Sequence, residues 1–235
     1  MIATVYRLTL RAQARAGRLA AMAVLGLVGV VVGLAIGLGD VTDRLDAGTN
    51  LVNSFTLTVF APVVVLVFAS AALGDPVDDS TLVYYWLRPV PRWRIVAGAW
   101  LATLTITVPL VLVPSLVAAG LSGGGAPLLR GTLASALVAV AGYSGLFLLL
   151  GLLVRRALTW GLVYILLWEG FVALAGSTAS RLALRRYTRS LLTDATGVPL
   201  RLAESPPSIA VVVPVVVAVV ALVLTTWRLR RMEVA

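Results

Sequence analysis

The sequence predicts an all-α integral membrane protein with six transmembrane helices. Of its 235 residues, 60% are apolar and only 12% charged, against about 25% charged in a soluble domain. Crossing a hydrocarbon core of roughly 30 Å takes about 20 apolar residues. Six stretches meet or approach that length: 19–38, 52–74, 95–119, 131–154, 157–177 and 208–227. Little chain is left for a soluble domain, so residues 1–235 read as a single transmembrane domain.

The N-terminal segment, residues 1–18, is too polar for a signal-peptide core, and no small-residue cleavage site follows the first span, so that span is expected to be retained. Arg7, Arg11, Arg15 and Arg18 recur at spacings of four, four and three, which makes one stripe on a helix. Val5, Leu8, Ala12, Ala16 and Leu19 make another face. The pattern predicts an amphipathic helix lying in the interface with its arginines toward lipid phosphates. Ordinary flanking positive charge is the alternative.

Gly26, Gly29, Gly33 and Gly37 mark the first span, and the last three form a groove that admits a close helix neighbour. Packing within one subunit is the expected use, ahead of a dimer seam. Asp40, Asp43, Arg44 and Asp46 then read as a solvated outer connector. The second span opens with Asn50 and Asn53, carries Thr56 and Thr58, and has Pro62 in mid-span, where a kink is expected.

Residues 75–94 form a polar connector between spans two and three. Asp78 and Asp79 precede Ser80 and Thr81, which is good N-terminal capping chemistry. A short helix with the apolar aromatic face Val83, Tyr84, Tyr85 and Trp86 can follow, stopped by Pro89 and Pro91. Arg88, Arg92 and Arg94 surround those prolines. Such a segment, held between two spans, is either a docking surface for a soluble partner or a plain interfacial loop.

In span three, the hydroxyls of Thr103, Thr105 and Thr107 are expected to bond back to helix carbonyls, with lining of a polar path as the other reading. Ser122-Gly123-Gly124-Gly125-Ala126-Pro127 is a flexible turn into span four. Arg155-Arg156 marks a very short inner turn. Glu169 is the one ionisable residue well inside a span, and such acids are costly and usually functional. It could pair structurally with an outer arginine such as Arg130 or Arg181, contact a polar or cationic substrate, or carry protons. In the outer loop, 178–207, Arg181, Arg185 and Arg189 recur every four residues with Arg186 beside them, over Leu182, Leu184, Tyr187 and Leu191. That is an amphipathic helix on or dipping into the outer surface, expected to anchor to lipid headgroups.

Arginine counting fixes the expected orientation. With the N-terminus inside, twelve of the 19 arginines fall on inner segments and seven on outer ones, which favours both termini inside. The 178–207 loop argues the other way, since five spans would give 14 against five. The length of 157–177 favours six.

The absences restrict the chemistry. There is no His, no Cys and no Lys, so all 19 basic residues are Arg. Zinc sites of the Cys/His kind, thiol and imidazole catalysis, and Schiff-base lysines are excluded, despite the serine motif Gly142-Tyr143-Ser144-Gly145. A Walker A loop needs a lysine on the phosphates. This chain therefore cannot hydrolyse ATP by a conventional P-loop, and any ATP-driven work needs another polypeptide.

Asp78-Asp79-Ser80-Thr81-Leu82, followed by Leu87-Arg88-Pro89-Val90-Pro91-Arg92-Trp93-Arg94-Ile95-Val96-Ala97-Gly98, resembles the signature between spans two and three of ABC-2 type transporter permeases. There an acid, one variable residue and Gly-Thr-Leu are followed by a Leu-rich turn and Pro-Val-Ser-Arg. Asp78, Thr81, Leu82, Pro89, Val90 and Arg92 match. Ser80 stands for the Gly, Pro91 for the Ser, Pro76 where an earlier acid is common, and Ala99 where Lys is common. Tyr164 to Glu169 is also similar to the fifth span of some such permeases.

The resemblance implies the transmembrane subunit of a bacterial ABC exporter. The chain would be multi-pass in the cytoplasmic membrane with both termini cytoplasmic. Two permease subunits, identical or different, would pair. Each would dock on a separate ATPase subunit through a coupling helix within 75–94, using Asp78, Asp79, Thr81, Leu82, Arg88, Pro89 and Arg92. ATP and magnesium would sit on that partner, and this chain would bind no cofactor and no nucleic acid. In the family, spans two and five line the path, which implicates Asn53, Thr56 and Glu169. The rival classes are a membrane-embedded enzyme, in which Asp75, Asp78 and Asp79 could hold a metal near phosphates without a second acidic cluster to support them, and a non-transporting membrane anchor or scaffold.

Overall fold

A computed structural model of the chain describes residues 2–78, 91–170, 180–201, 203 and 205–231, with only the backbone given for 77 and 78. Among the described residues, all regular structure is helical. The helices are α1 (Ile2–Gln13), α2 (Ala16–Leu38), α3 (Arg44–Leu51), α4 (Ala61–Asp78), α5 (Arg92–Leu121), α6 (Gly125–Leu153), α7 (Ala157–Val163), α8 (Leu184–Thr196) and α9 (Pro207–Arg231). Two π-helical segments continue the chain without a break, Val52–Phe60 between α3 and α4 and Tyr164–Glu169 after α7.

Five helices are long and apolar enough to cross a membrane: Ala16–Leu38, Arg44–Pro76, Arg92–Leu121, Gly125–Leu153 and Pro207–Arg231. They begin earlier or end later than the apolar windows because polar turns extend them past the hydrocarbon. The expected fifth span, 157–177, is different. Its described helix is Ala157–Glu169, about 20 Å at 1.5 Å per residue, too short to cross. The rest of that window, from residue 171 on, lies outside the described residues.

Helix α6 is the hub, packed by α4, α5, α8 and α9. It takes so many neighbours because its faces are small. Gly151 meets the Ser70 backbone of α4, and Gly145 meets the Ala218 backbone of α9. In lipid, where water does not drive helices together, such close backbone approach supplies the packing. The glycine groove of α2 works in the same way: Gly33 lies against the Ala118 backbone, and Gly26 against Phe60 and Pro114. It packs within the subunit, as expected.

The outer surface is apolar. Val24, Leu27 and Val31 on α2, and Val212, Val219 and Val223 on α9, are all half-exposed or more. Continuous apolar faces of this extent suit lipid rather than water, as in a multi-pass membrane protein.

Helix α1 departs from the expected pattern. Its buried face is Val5, Thr9 and Gln13, while Leu8 and Ala12 are exposed. Val5 fits against Gly98 of α5. Gln13 Nε2 donates to Phe68 O at 2.9 Å and to Thr103 Oγ1 at 3.1 Å. A mixed face, apolar at Val5 and polar at Gln13, thus turns to the protein. Arg7, Arg11 and Arg15 are exposed, and Arg18 pairs with Asp75 at 2.9 Å.

The expected disturbance at Pro62 takes the form of the π-helical stretch directly before it. Proline has no N–H to give, and its ring crowds the preceding turn, so the helix widens there. Thr58 Oγ1 donates five residues back, to Asn53 O, at 2.7 Å. The threonines of α5 bond to the carbonyls four residues earlier: Thr103 to Ala99, Thr105 to Leu101 and Thr107 to Thr103.

Candidate functional site

A proximal end of the bundle is defined by one cluster: Val5, Ala72, Leu73, Ile95, Val96, Ala99, Leu148, Leu152 and Leu229. It brings the exit of α4, the entry of α5, the exit of α6 and the last turns of α9 to the same place. Both ends of segment 79–90 therefore open here. Asp78 closes α4 and Arg92 opens α5 after Pro91. Asp79, Thr81, Leu82, Arg88 and Pro89, with the expected coupling helix, lie outside the described residues. Arg94 stacks on Trp93, its guanidinium carbon 5.4 Å from the ring centroid. Asp75, the first acid of the connector, is taken by Arg18.

The distal end joins the exits of α2 and α5, with Gly37 against Leu121, to the entry of α6, where Leu128 fills the space beside Gly48. Since α6 ends proximally and α9 starts toward the distal end, the chain between them must travel the height of the bundle. Among the described residues, two helical pieces lie along that path. The first is α7 with its π-helical extension, which ends at Glu169. The second is α8, whose Leu184 touches Gly142 at mid-α6 and whose Leu192 and Ala195 touch Gly131 nearer the distal end.

Glu169 joins the two pieces. It is 3% exposed. Its Oε1 accepts from Tyr164 Oη at 3.1 Å and from the Leu184 N–H at 3.1 Å, and its Oε2 accepts from the Arg185 N–H at 3.2 Å. Arg185 Nη1 donates to the Glu169 carbonyl oxygen at 3.3 Å. The first N–H groups of a helix have no partner within it, and the N-cap residue here, Ala183, has no side chain able to supply one. A carboxylate from 15 residues upstream takes that role, and it also sits favourably at the positive end of the helix dipole. The structural partner of Glu169 is therefore the start of α8, in place of the expected Arg130 or Arg181. Tyr143, fully buried on α6, lies close enough to feel the same carboxylate without completing a well-formed hydrogen bond. Phe147 stacks on Tyr143 at 5.6 Å and meets Tyr164 edge-on at 6.1 Å, which fixes the tyrosine that holds the carboxylate.

Helix α8 corrects the expectation of a lipid-anchored surface helix. Arg189 is 6% exposed, and Leu184, Tyr187, Leu191 and Leu192 are also buried. The helix starts at Leu184, so Arg181 precedes it. Arg186 donates to Ser180 and Ser205, and Arg189 to the Arg201 carbonyl.

Of the other expected path residues, Thr56 is buried inside the subunit. Asn53 is half-buried with a buried Oδ1 that has no partner among the described residues. The serine motif is structural: Ser144 Oγ accepts from Trp100 Nε1 at 2.8 Å and donates to Ala141 O at 2.8 Å. Among the described residues, no three acidic, histidine or cysteine side chains converge. No protein-family model matches this chain, and no curated protein matches it.

Proposed function

We propose that this chain is the transmembrane permease subunit of an ATP-driven exporter of the ABC-2 type. It works paired with a second permease subunit and hydrolyses no ATP itself. The observation that carries the reading is the residue pattern of 78–98, set between two long apolar helices in a chain without lysine. Its supports are physical. A segment whose two ends open side by side at one end of a bundle is mechanically suited to pass a push from a soluble partner to two spans at once. The same end carries Arg92, Arg94, Arg155, Arg156, Arg228, Arg230 and Arg231, which the positive-inside tendency assigns to the cytoplasm.

In this reading the chain crosses six times. The fifth crossing is split into α7 with its π-helical extension and α8, and both termini are cytoplasmic. Split helices that meet at mid-depth are a recurrent device of transporters. Glu169 holds the split crossing together rather than meeting substrate, and Asn53 remains the candidate for the path.

Co-expression with an ABC-type ATPase subunit from the same genome tests the proposal. The two chains should co-purify in detergent. Asp78→Arg should release the ATPase while the permease keeps its elution volume and thermal midpoint. An intact permease that never retains the ATPase overturns the reading.

A further inference from the structure

Arg185, Arg189 and Thr193 stand at i, i+4 and i+8 on α8, one above the next on a single face. All three present a buried polar atom with no partner among the described residues: Arg185 Nε, Arg189 Nε and Thr193 Oγ1. The hydrogen bonds the two guanidiniums do make go to neutral carbonyls, Arg185 to Glu169 O and Arg189 to Arg201 O. Arg201 also lies within electrostatic reach of Arg189. Among the described residues, the carboxylate that shares electrostatic contact with both guanidiniums is Glu169, and it is engaged by the amides of Leu184 and Arg185 and by the Tyr164 hydroxyl. It balances one positive charge where Arg185 and Arg189 bring two.

A buried charge without a counter-charge is costly, and a helix inserted among apolar neighbours cannot draw one from bulk water. The guanidinium fork matches phosphate geometry. Side chains one turn apart, with β-carbons about 5–6 Å from each other, can bridge a single tetrahedral group. A hydroxyl one turn further along can donate a third bond.

We infer that Arg185, Arg189 and Thr193 form a binding site for a phosphate-type oxyanion. The site is independent of the exporter reading, since it rests on charge and unpaired donors within one subunit. The oxyanion can come from the headgroup of an anionic phospholipid or from a free phosphate.

The test uses the full chain in a neutral maltoside detergent, in two arms. In the first, native mass spectrometry follows retention of phosphatidylglycerol against phosphatidylcholine. In the second, inorganic phosphate is titrated against chloride at matched ionic strength, with tryptophan fluorescence as the readout. Saturable binding is expected in at least one arm, and the arm that binds identifies the source. Arg189→Gln and Arg189→Lys should each weaken it about tenfold, because lysine keeps the charge but loses the fork. Thr193→Val should weaken it severalfold and leaves both arginines in place should the arginine variants fail to fold. Absence of saturable binding in both arms overturns the site. So does binding that folded Arg189→Lys and Thr193→Val leave unchanged.

Discussion

Replacing Glu169 with alanine should detach α8 from the helical segment that ends at Glu169. The carboxylate accepts three hydrogen bonds, from Tyr164 Oη and the N–H groups of Leu184 and Arg185. Bonds to a charged group contribute about 1.5–3 kcal/mol each, and a buried donor left unmade costs about 1–3 kcal/mol. These figures overlap, because losing the bond and orphaning the donor are one event. The tyrosine hydroxyl can also rotate toward other acceptors. Two orphaned amides and a lost dipole contact therefore give about 3–5 kcal/mol. In a chain of this size 1 kcal/mol moves a thermal midpoint by about 2–4 °C, so a fall of roughly 10 °C is expected in detergent. The chain contains no cysteine, which permits a site-specific second reading. A single cysteine at Ala183, 1% exposed beside the capped amides, should be labelled slowly by a maleimide in the parent. In the Glu169→Ala background labelling should be at least about tenfold faster, as expected for a segment freed to open locally. A midpoint within 2 °C of the parent (about 1 kcal/mol), with unchanged labelling, would refute the capping argument.

Two further substitutions test the packing. Gln13→Ala removes the donor that ties α1 to Phe68 O and Thr103 Oγ1. It should cost about 1–3 kcal/mol and speed proteolysis of the first 15 residues, whereas Arg11→Ala on the exposed face should do neither. Gly151→Val would push a side chain into the Ser70 backbone and should cost about 1–3 kcal/mol or more by overpacking. Gly17→Ala, with open space around it, should hold or raise the thermal midpoint, since alanine favours the helix by about 1 kcal/mol.

Five of the spans were legible because each is an unbroken apolar run bounded by charge or by Gly and Pro. The burial of α8 was not, since it carries Arg185, Arg186 and Arg189 in 13 residues and hydropathy assigns such a stretch to the surface. Its burial follows from contacts with Gly142 and Gly131 that lie some 40 to 60 positions away in sequence. The role of Glu169 was half legible. Its cost inside a span marked it, but the partner is a pair of backbone amides, which no residue type advertises. The only trace in the sequence is that Ala183 is a poor cap for the helix that follows. Helix α1 shows a different failure. The apolar face of an interfacial helix was assigned to Val5, Leu8 and Ala12, yet Val5, Thr9 and Gln13 turn inward, because the Gln13 amide finds partners in Phe68 O and Thr103 Oγ1. The glycine spacing in α2 was readable for the opposite reason, because close approach needs the absence of a side chain whatever the partner.

In the proposed function, this chain receives its work from a separate ATPase through the segment following Asp78. The ATP hydrolysis rate of an ABC-type ATPase subunit from the same genome, alone and reconstituted with this chain in phospholipid vesicles, tests this. The account predicts a severalfold rise that Asp78→Arg abolishes and Arg7→Ala leaves intact. A rate that is the same with and without the chain, under conditions where the chain is folded in the vesicles, would contradict it.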